Sequence, residues 1–388
     1  MQTHLPEPSP NKLAHSILVA AMSLTGVAAG VAVTVSGEAQ AEDAPTKAEI
    51  SVKLLRYQEN QPGLERIHVN SPALALSLPI AGVWSLDANL VSDSVSGASP
   101  RYHTVISSAS KMSDFRRAAD LKLNRYFERV KLSLGAAYST EHDYDSKAIS
   151  AQISLASDDQ NTTWNLGLGR ASDEINANTR NVHDKKLGRD YLIGVTQVLS
   201  PQDVVQINLT HTRGHGYFAD PYKSLDIRPR ERLQTALNLR HHHHFTRTNT
   251  SVRLHYRNYS DSFGIRSHTL AAELAQPLSA GWTLTPNLRW YTQTAADFYF
   301  EPRYTVLYLP VGYKIGSKQF VSEDQRMSAF GARTVGLKLS KQFDSDWTID
   351  VSVERYQQKS EWASTHRNQL NLAPLSASII QVGLQHQF

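Results

Sequence analysis

Ser378-Ile379-Ile380-Gln381-Val382-Gly383-Leu384-Gln385-His386-Gln387-Phe388 is the stretch on which the reading of this chain turns. Counting back by two from Phe388 gives His386, Leu384, Val382 and Ile380. The other parity gives Gln387, Gln385, Gly383 and Gln381. A period of two is the signature of a pleated strand, because successive side chains point to opposite faces. This strand is apolar on one face and polar on the other. His386 is the one polar ring on the apolar side.

The same alternation runs through the chain. Val130, Leu132, Leu134, Ala136 and Tyr138 alternate with Lys131, Ser133, Gly135, Ala137 and Ser139. Trp164, Leu166 and Leu168, then Val205, Ile207 and Leu209, repeat the pattern. So do Trp282, Leu284, Pro286, Leu288 and Trp290, then Val335, Leu337 and Leu339, and then Trp347, Ile349, Val351 and Val353. The links between segments also alternate. Short turn-rich links fall at Ile80–Gly82, Phe127–Glu128, Asp158–Asn161, Ser200–Asp203, Thr246–Asn249, Leu278–Gly281 and Asp344–Asp346. Longer polar links are expected at Ser94–Asp114, Glu141–Lys147, Asp173–Gly188, Gly214–Pro229, Asp297–Gln325 and Gln357–Ala373.

Short turns at one rim and long loops at the other are the pattern of a bacterial transmembrane β-barrel, with the turns periplasmic and the loops extracellular. Starting from a first strand near Ile50–Tyr57, the count is 16 antiparallel strands in one barrel, with 14 as the fallback. A soluble β-sandwich also alternates, but that many strands would need several cores. Trp84, Trp164, Trp282 and Trp347 all stand beside short turns, where an interfacial aromatic girdle belongs.

The other end of the chain agrees. Ile17–Val35 is apolar, Lys12 precedes it, and Ala39-Gln40-Ala41 is a small-x-small cleavage site. Residues 1–41 are therefore expected to be a cleaved secretory signal, and 42–388 the barrel. No other apolar run could span a bilayer as a helix, and the mean hydropathy is −0.39. Membrane insertion would have to proceed through a closed barrel. The chain has no cysteine, which excludes disulfides and thiolate chemistry. Forty Lys+Arg against 36 Asp+Glu is too small and dispersed an excess for a nucleic-acid partner.

Parity assigns the polar set to the lumen. The basic candidates are Lys53, Lys122, Lys131, Arg240, Arg253, Arg257, Arg289 and Lys338; the acidic ones are Asp87, Asp93, Asp120, Glu273, Asp350 and Glu354. Such a wall fits a pore that orients a polar solute, and equally a lumen shut by ion pairs. His241–His244 are four consecutive histidines that alternation splits between two faces. His242 and His244, with His255 as a lumenal companion, are the metal candidates; a plain rim position is the competing reading. No cofactor motif is present: there is no Gly-rich phosphate loop, no H-E-x-x-H and no G-x-S-x-G.

Several stretches resemble one family. They are Tyr57-Gln58-Glu59-Asn60-Gln61-Pro62-Gly63 with Arg66-Ile67, and Asp93-Ser94-Val95-Ser96-Gly97-Ala98-Ser99-Pro100-Arg101-Tyr102-His103. Gly264-Ile265-Arg266-Ser267-His268-Thr269-Leu270 and Tyr291-Thr292-Gln293-Thr294-Ala295-Ala296-Asp297-Phe298-Tyr299 complete the set. The chain resembles the Gram-negative proteins grouped as domain of unknown function 3570, which implies an outer-membrane barrel and no established activity. The last strand also resembles the C-terminal strand that barrel-insertion machinery reads. Expected partners are therefore outer-membrane lipid, that machinery, and a small polar solute or a periplasmic protein.

Turn parity places Asp93, Ser94, Arg101, His103, Arg266, His268, Asp297 and Tyr299 at the outer rim, with Arg253, Arg257 and Arg289 in the lumen below. These are the candidate binding residues. The expected role is a pore or binding channel for a small polar solute in the outer membrane of a Gram-negative bacterium. The alternatives are a closed structural or partner-binding barrel, and an outer-membrane hydrolase built on rim Asp, His and Ser.

Overall fold

The structure, a computed structural model, describes residues 43–388 apart from 101–108, 178–180, 224, 302, 305–309, 312–318 and 366–371. The expected signal at 1–41 lies outside the described residues. Sixteen strands close one antiparallel ring. They are β1 (Glu49–Gln61), β2 (Leu64–Ile80), β3 (Trp84–Pro100), β4 (Ala109–Tyr126), β5 (Val130–Thr140) and β6 (Tyr144–Ala156). Next come β7 (Thr162–Ala177), β8 (Val182–Ser200), β9 (Asp203–Gly216), β10 (Glu231–Phe245) and β11 (Thr250–Asp261). β12 (Arg266–Pro277), β13 (Trp282–Gln293), β14 (Phe330–Gln342), β15 (Trp347–Lys359) and β16 (Leu375–Gln387) complete the ring. Each strand pairs with its sequence neighbours, and β1 pairs with β16 from Glu49↔Gln387 to Asn60↔Ser376. The seal is finished by mutual backbone hydrogen bonds between Ala48 and Phe388 at 2.8 and 2.9 Å.

Alternation sorts the side chains as the pattern predicts. Leu54, Leu134, Ile149, Leu168, Val335, Val353 and Val382 stand exposed on the outer face. A soluble fold would bury such a set; a lipid-facing band does not need to. The seven short links all fall at one end of the ring, between the strands as expected. Trp84, Trp164, Trp282 and Trp347 form an outward belt there. Arg125 lies 4.8 Å from the Trp84 ring, and Lys341 lies 5.5 Å from Trp282. Basic stems thus carry their charges past the rings towards water. His386 belongs to this belt: it stacks 4.1 Å from Trp347 and 5.6 Å from Phe388. Its imidazole serves as one more aromatic plate, which is why a polar residue is tolerated on that face.

The other end departs from expectation. Three of the expected long loops are largely strand. β3 and β4 carry the ladder through most of Ser94–Asp114, β7 and β8 through most of Asp173–Gly188, and β6 already begins at Tyr144. The reason is solvent. Above the apolar band both faces are wet, so a strand there needs no apolar stripe. Lys185 pairs with Glu174 at 3.0 Å on the outer face, and Lys186 with Asp173 at 2.7 Å on the inner face. Cross-strand ion pairs of this kind hold the extension together while erasing the period-two signal. The links after β9, after β13 and after β15 are the long loops, as expected at Gly214–Pro229, Asp297–Gln325 and Gln357–Ala373.

Gly264 shapes the turn between β11 and β12. Its φ is +86°, and a Cβ there would stand 2.3 Å from Asp297 Oδ1. Gly264→Val combines a strained backbone with that collision. It should weaken the docking of residues 294–300 by about 1–3 kcal/mol. Faster hydrogen exchange at those residues, with unchanged heat-modifiable gel mobility of the barrel, is the expected result.

Candidate functional site

The fourteen charged residues assigned to the lumen by parity all face it in the closed ring. They are not evenly mixed. Arg240 and His242 on β10, Arg253, His255 and Arg257 on β11, and Arg289 on β13 form one basic wall. Arg240 stands opposite His255, and His242 opposite Arg253. Two carboxylates answer the four guanidinium groups: Glu273 on β12 lies 3.5 Å from Arg253, and Glu354 on β15 acts on Arg289 at longer range. Arg257 lies 5.0 Å from the Tyr259 ring, a contact that keeps its charge. Arg240 Nη1 donates to Gln206 Oε1 at 3.3 Å, while Arg240 Nε and His255 Nε2 are buried without a protein partner.

The facing wall is mixed in charge and amide-rich, with Lys122, Lys131 and Arg116 set among Asp87, Asp93 and Asp120. Asp87 accepts from Ser77 Oγ at 2.7 Å and from Asn124 Nδ2 at 2.8 Å. Asn89 donates to Asp120 at 2.9 Å, and Ser133 to Asn124 at 2.7 Å. Lys122 stands beside Asp87 in the β3–β4 register. In a ring of sixteen, β3 and β11 lie diametrically opposite. A polar solute between them would sit in a transverse field. At an effective dielectric of about 20, a unit charge 4 Å from a guanidinium is attracted by about 4 kcal/mol, against about 1 kcal/mol in bulk water.

The long-loop end is furnished differently. The loop after β9 and the loop after β13 meet there. Arg228 donates to Asp226 at 2.8 and 2.7 Å and to Asp324 at 2.7 Å. Arg326 donates to Asp324 and, at 2.6 Å, to Asp220. Asp220, Asp226, Asp324 and Lys223 are all buried. Beneath them Phe263, Ile265, Ala296, Phe298 and Met327 form an apolar cluster, joined by Phe218 and Tyr299. Phe218 lies over Gly214, where a Cβ would come within 2.7 Å of its ring. Tyr222 reaches Asp143 between β5 and β6. Together these loops cap part of the mouth.

Two carboxylates of the cap respond to burial in opposite ways. Burial, with the neighbouring Asp324 carboxylate, pushes Asp226 above the ordinary carboxylate range, and Arg228 and the hydrogen bond from Ser322 offset only part of it. Burial also opposes ionised Asp324, but Arg326, Arg228 and Lys223 outweigh it and hold that group well below the usual range.

The four family-resembling stretches come together in pairs. Tyr57, Ile67 and Val95 share an apolar cluster with Val69, Ala377 and Ile379. Beside it Arg66 and Glu59 form a fully buried pair at 2.6 Å, and Arg116 holds Asp93 at 2.5 Å. On the opposite side of the ring, Asp297 donates its backbone N–H to Phe263 O at 2.8 Å, and Thr294 Oγ1 donates to Gly264 O at 3.1 Å. The rim candidates therefore do not form one group. Asp93 faces inward and Ser94 outward. Arg266 and His268 face outward, with Tyr256 OH 2.8 Å from His268 Nδ1. Asp297 and Tyr299 belong to the cap, and burial raises the Tyr299 phenol. Arg101 and His103 lie outside the described residues.

The histidine run also divides. His242 and His244 face the lumen, where His244 Nδ1 meets Ser251 Oγ at 3.1 Å. No set of three ligands among the described residues includes either of them or His255. The set that converges is Asp203, His241 and His243, on the outer face. The sequence pattern offered the inner pair with His255 as a candidate against a plain rim position; the group of three potential ligands that the fold brings together instead includes Asp203 of β9.

Comparison with known proteins adds the following. The model of one family, described as a protein of unknown function (DUF3570), matches residues 14–113, 104–185 and 177–385. No curated protein matches the chain. Among solved structures, a bacterial polysaccharide outer membrane secretin is similar, with a TM-score of 0.52 and 7% identity over 88% of this chain and 98% of that one. OccK2 (OpdF) of Pseudomonas aeruginosa in complex with glucuronate gives 0.44 and 10%, over 88% and 98%. The siderophore receptor PirA of the same organism gives 0.45 and 12%, over 89% of this chain and 66% of that one. At these identities the likeness concerns the fold.

The cap's paired carboxylates set its response to acid. Asp324, with its depressed pKa, contributes stability that is present above the ordinary carboxylate range and lost as pH falls below it. Asp226, with its raised pKa, takes up its proton first, and doing so relieves a buried charge. The cap should therefore hold at pH 5 and release only below about pH 4. The chain has no cysteine, so a spin label on Ile227→Cys reports the cap alone. Line narrowing between pH 7 and pH 5 would contradict the expectation.

Proposed function

This chain belongs to the DUF3570 family, and we propose that it is an outer-membrane channel that binds and passes a small polar solute, with a preference for anionic groups. In this reading the barrel lies in the outer membrane of a Gram-negative bacterium. The short turns face the periplasm and the capped loops face outward. The observation that carries it is the pair of opposed walls. A lumen meant only to be filled would place each charge against its opposite, as Lys338 and Asp350 are at 3.5 Å. The β10–β13 wall instead keeps four guanidinium groups against two carboxylates, Glu273 and the more distant Glu354. It also leaves Arg240 Nε and His255 Nε2 buried without protein partners. Buried polar groups in that condition call for water or a ligand.

Solute would enter beside the cap, lose part of its hydration, and meet the basic wall while its hydroxyl or amide groups face Asp87, Asn89 and Asp120. Affinity is limited because the site is a wall and not an enclosing cage, and conduction requires that limit. Lipid meets the outer face, and the insertion machinery reads the strand ending at Phe388. A closed barrel for a periplasmic or surface partner is the second reading. The Tyr57–Ile379 apolar cluster and the buried Glu59–Arg66 pair favour it, because they fill one side of the mouth. The hydrolase reading rests on His103, and none of the arrangements described above supports it.

Planar-bilayer recording tests the channel. Wild-type protein should give steady single-channel steps with anion preference. The combined Arg240→Ala, Arg257→Ala and Arg289→Ala variant should lower the anion-to-cation permeability ratio on the order of several-fold. Silence from both the wild type and an Arg228→Ala variant with a loosened cap would leave the closed barrel standing. Equal selectivity in the wild type and the triple variant would remove the role of the wall.

A further inference from the structure

We propose that Asp203, His241 and His243 form a binding site for a divalent transition-metal ion on the outer face of the barrel, at its short-turn end. The three residues come from adjacent strands. His243 is the direct cross-strand partner of Asp203, and His241 stands opposite Val205 one pleat further along. Both imidazoles therefore share a face with the carboxylate. Asp203 Oδ1 lies 2.9 Å from His241 Nε2 and 2.8 Å from His243 Nδ1. All three ligand atoms fall within 4.8 Å of one another.

Two ligand atoms at right angles around an ion, each about 2.1 Å away, are about 3 Å apart. The separations on either side of Asp203 Oδ1 have that size, so the ion needs only small side-chain movements. The surroundings fix the ligands. Ser200 Oγ donates to Asp203 Oδ2 at 2.9 Å, which turns Oδ1 towards the histidines. The Phe245 ring meets His243 edge-on at 4.3 Å. Such second-neighbour contacts orient ligands and tune affinity. The site is open, with side-chain exposures of 41% and 31% for the histidines and 27% for Asp203. The remaining coordination positions would be filled by water or by a group from a partner.

The donor set names the ion class. Two imidazoles and one carboxylate suit zinc, nickel or copper, whereas calcium and magnesium take oxygen ligands. The position argues in the same direction. Val205, Ile207, Leu209, Leu237 and Leu239 line the same outer face further up the two strands. A carboxylate with two imidazoles interrupts that apolar band only here, at its edge. Hydrogen bonding between Asp203 and the histidines satisfies the groups without an ion. That rim position leaves the three groups within reach of water and of a dissolved ion.

The test uses the folded barrel in detergent, titrated with Zn²⁺ by calorimetry and with Co²⁺ by visible absorption. Wild-type protein should take up one saturable equivalent, with a Co²⁺ spectrum of nitrogen and oxygen ligation. His241→Gln with His243→Gln, and separately Asp203→Asn, should abolish it. Ser200→Ala should weaken it about tenfold or more. His242→Gln with His244→Gln should leave it unchanged. Heat-modifiable gel mobility reports folding of each variant. No saturable uptake by the wild type would overturn the site, as would full uptake by the His241/His243 variant or loss confined to the His242/His244 variant.

Discussion

The backbone of every membrane-spanning strand must find its hydrogen bonds within the protein, because hydrocarbon supplies none. Everything else in this structure follows from that requirement. A helix would meet it locally, but no helix among the described residues is long and apolar enough to cross a membrane. A sheet meets it only by closing, and here β1 returns to β16 along their whole length. Closure fixes parity, and parity fixes solvent. Once the ring is sealed, each side chain faces either hydrocarbon or the lumen. A one-residue slip in any strand would exchange the two sets.

That coupling is why so much of the fold was legible. Exposed Leu134, Leu168 and Val353 are the apolar members of segments whose polar members face inward. The turns after β2, β6, β8, β10, β12 and β14 announce themselves through Gly, Asp, Asn and Pro, and only Phe127–Arg129 after β4 lacks them. Legibility ended where the hydrocarbon ended. Between Asp173 and Lys186 both faces carry charges, only Ile175, Ala177 and Val182 are apolar, and such a strand reads as a loop. Cross-strand pairs such as Lys185–Glu174 are visible only once the register is known.

The candidate site divides in the same way. The lumenal charges were readable individually, since parity needs only the local pattern. Their unequal division between opposite walls was not, because it depends on how many strands separate β3 from β11 around the ring. The cap was still less accessible. Asp220 and Arg326 are far apart in sequence, and no local pattern joins them. The histidine run shows the same limit. Alternation separated the four residues correctly, but which pair meets a carboxylate was decided by Asp203 on the neighbouring strand.

Charge does two different things at the two levels of the lumen. In the cap, Arg228 and Arg326 are matched by Asp220, Asp226 and Asp324, and all are withdrawn from water. Desolvation offsets most of the attraction in such a cluster, so its contribution to stability is small. Its contribution to geometry is large, because only one arrangement of the two loops satisfies every group. On the basic wall the balance is reversed. Arg240 and Arg257 have no ion pair among the described residues, and Arg289 has only the more distant Glu354. These side chains are half-buried, so the lumen still solvates them. Matched charges in the cap fix how two loops meet, whereas the excess of guanidinium groups on the wall sets the sign of the field in the lumen beside it.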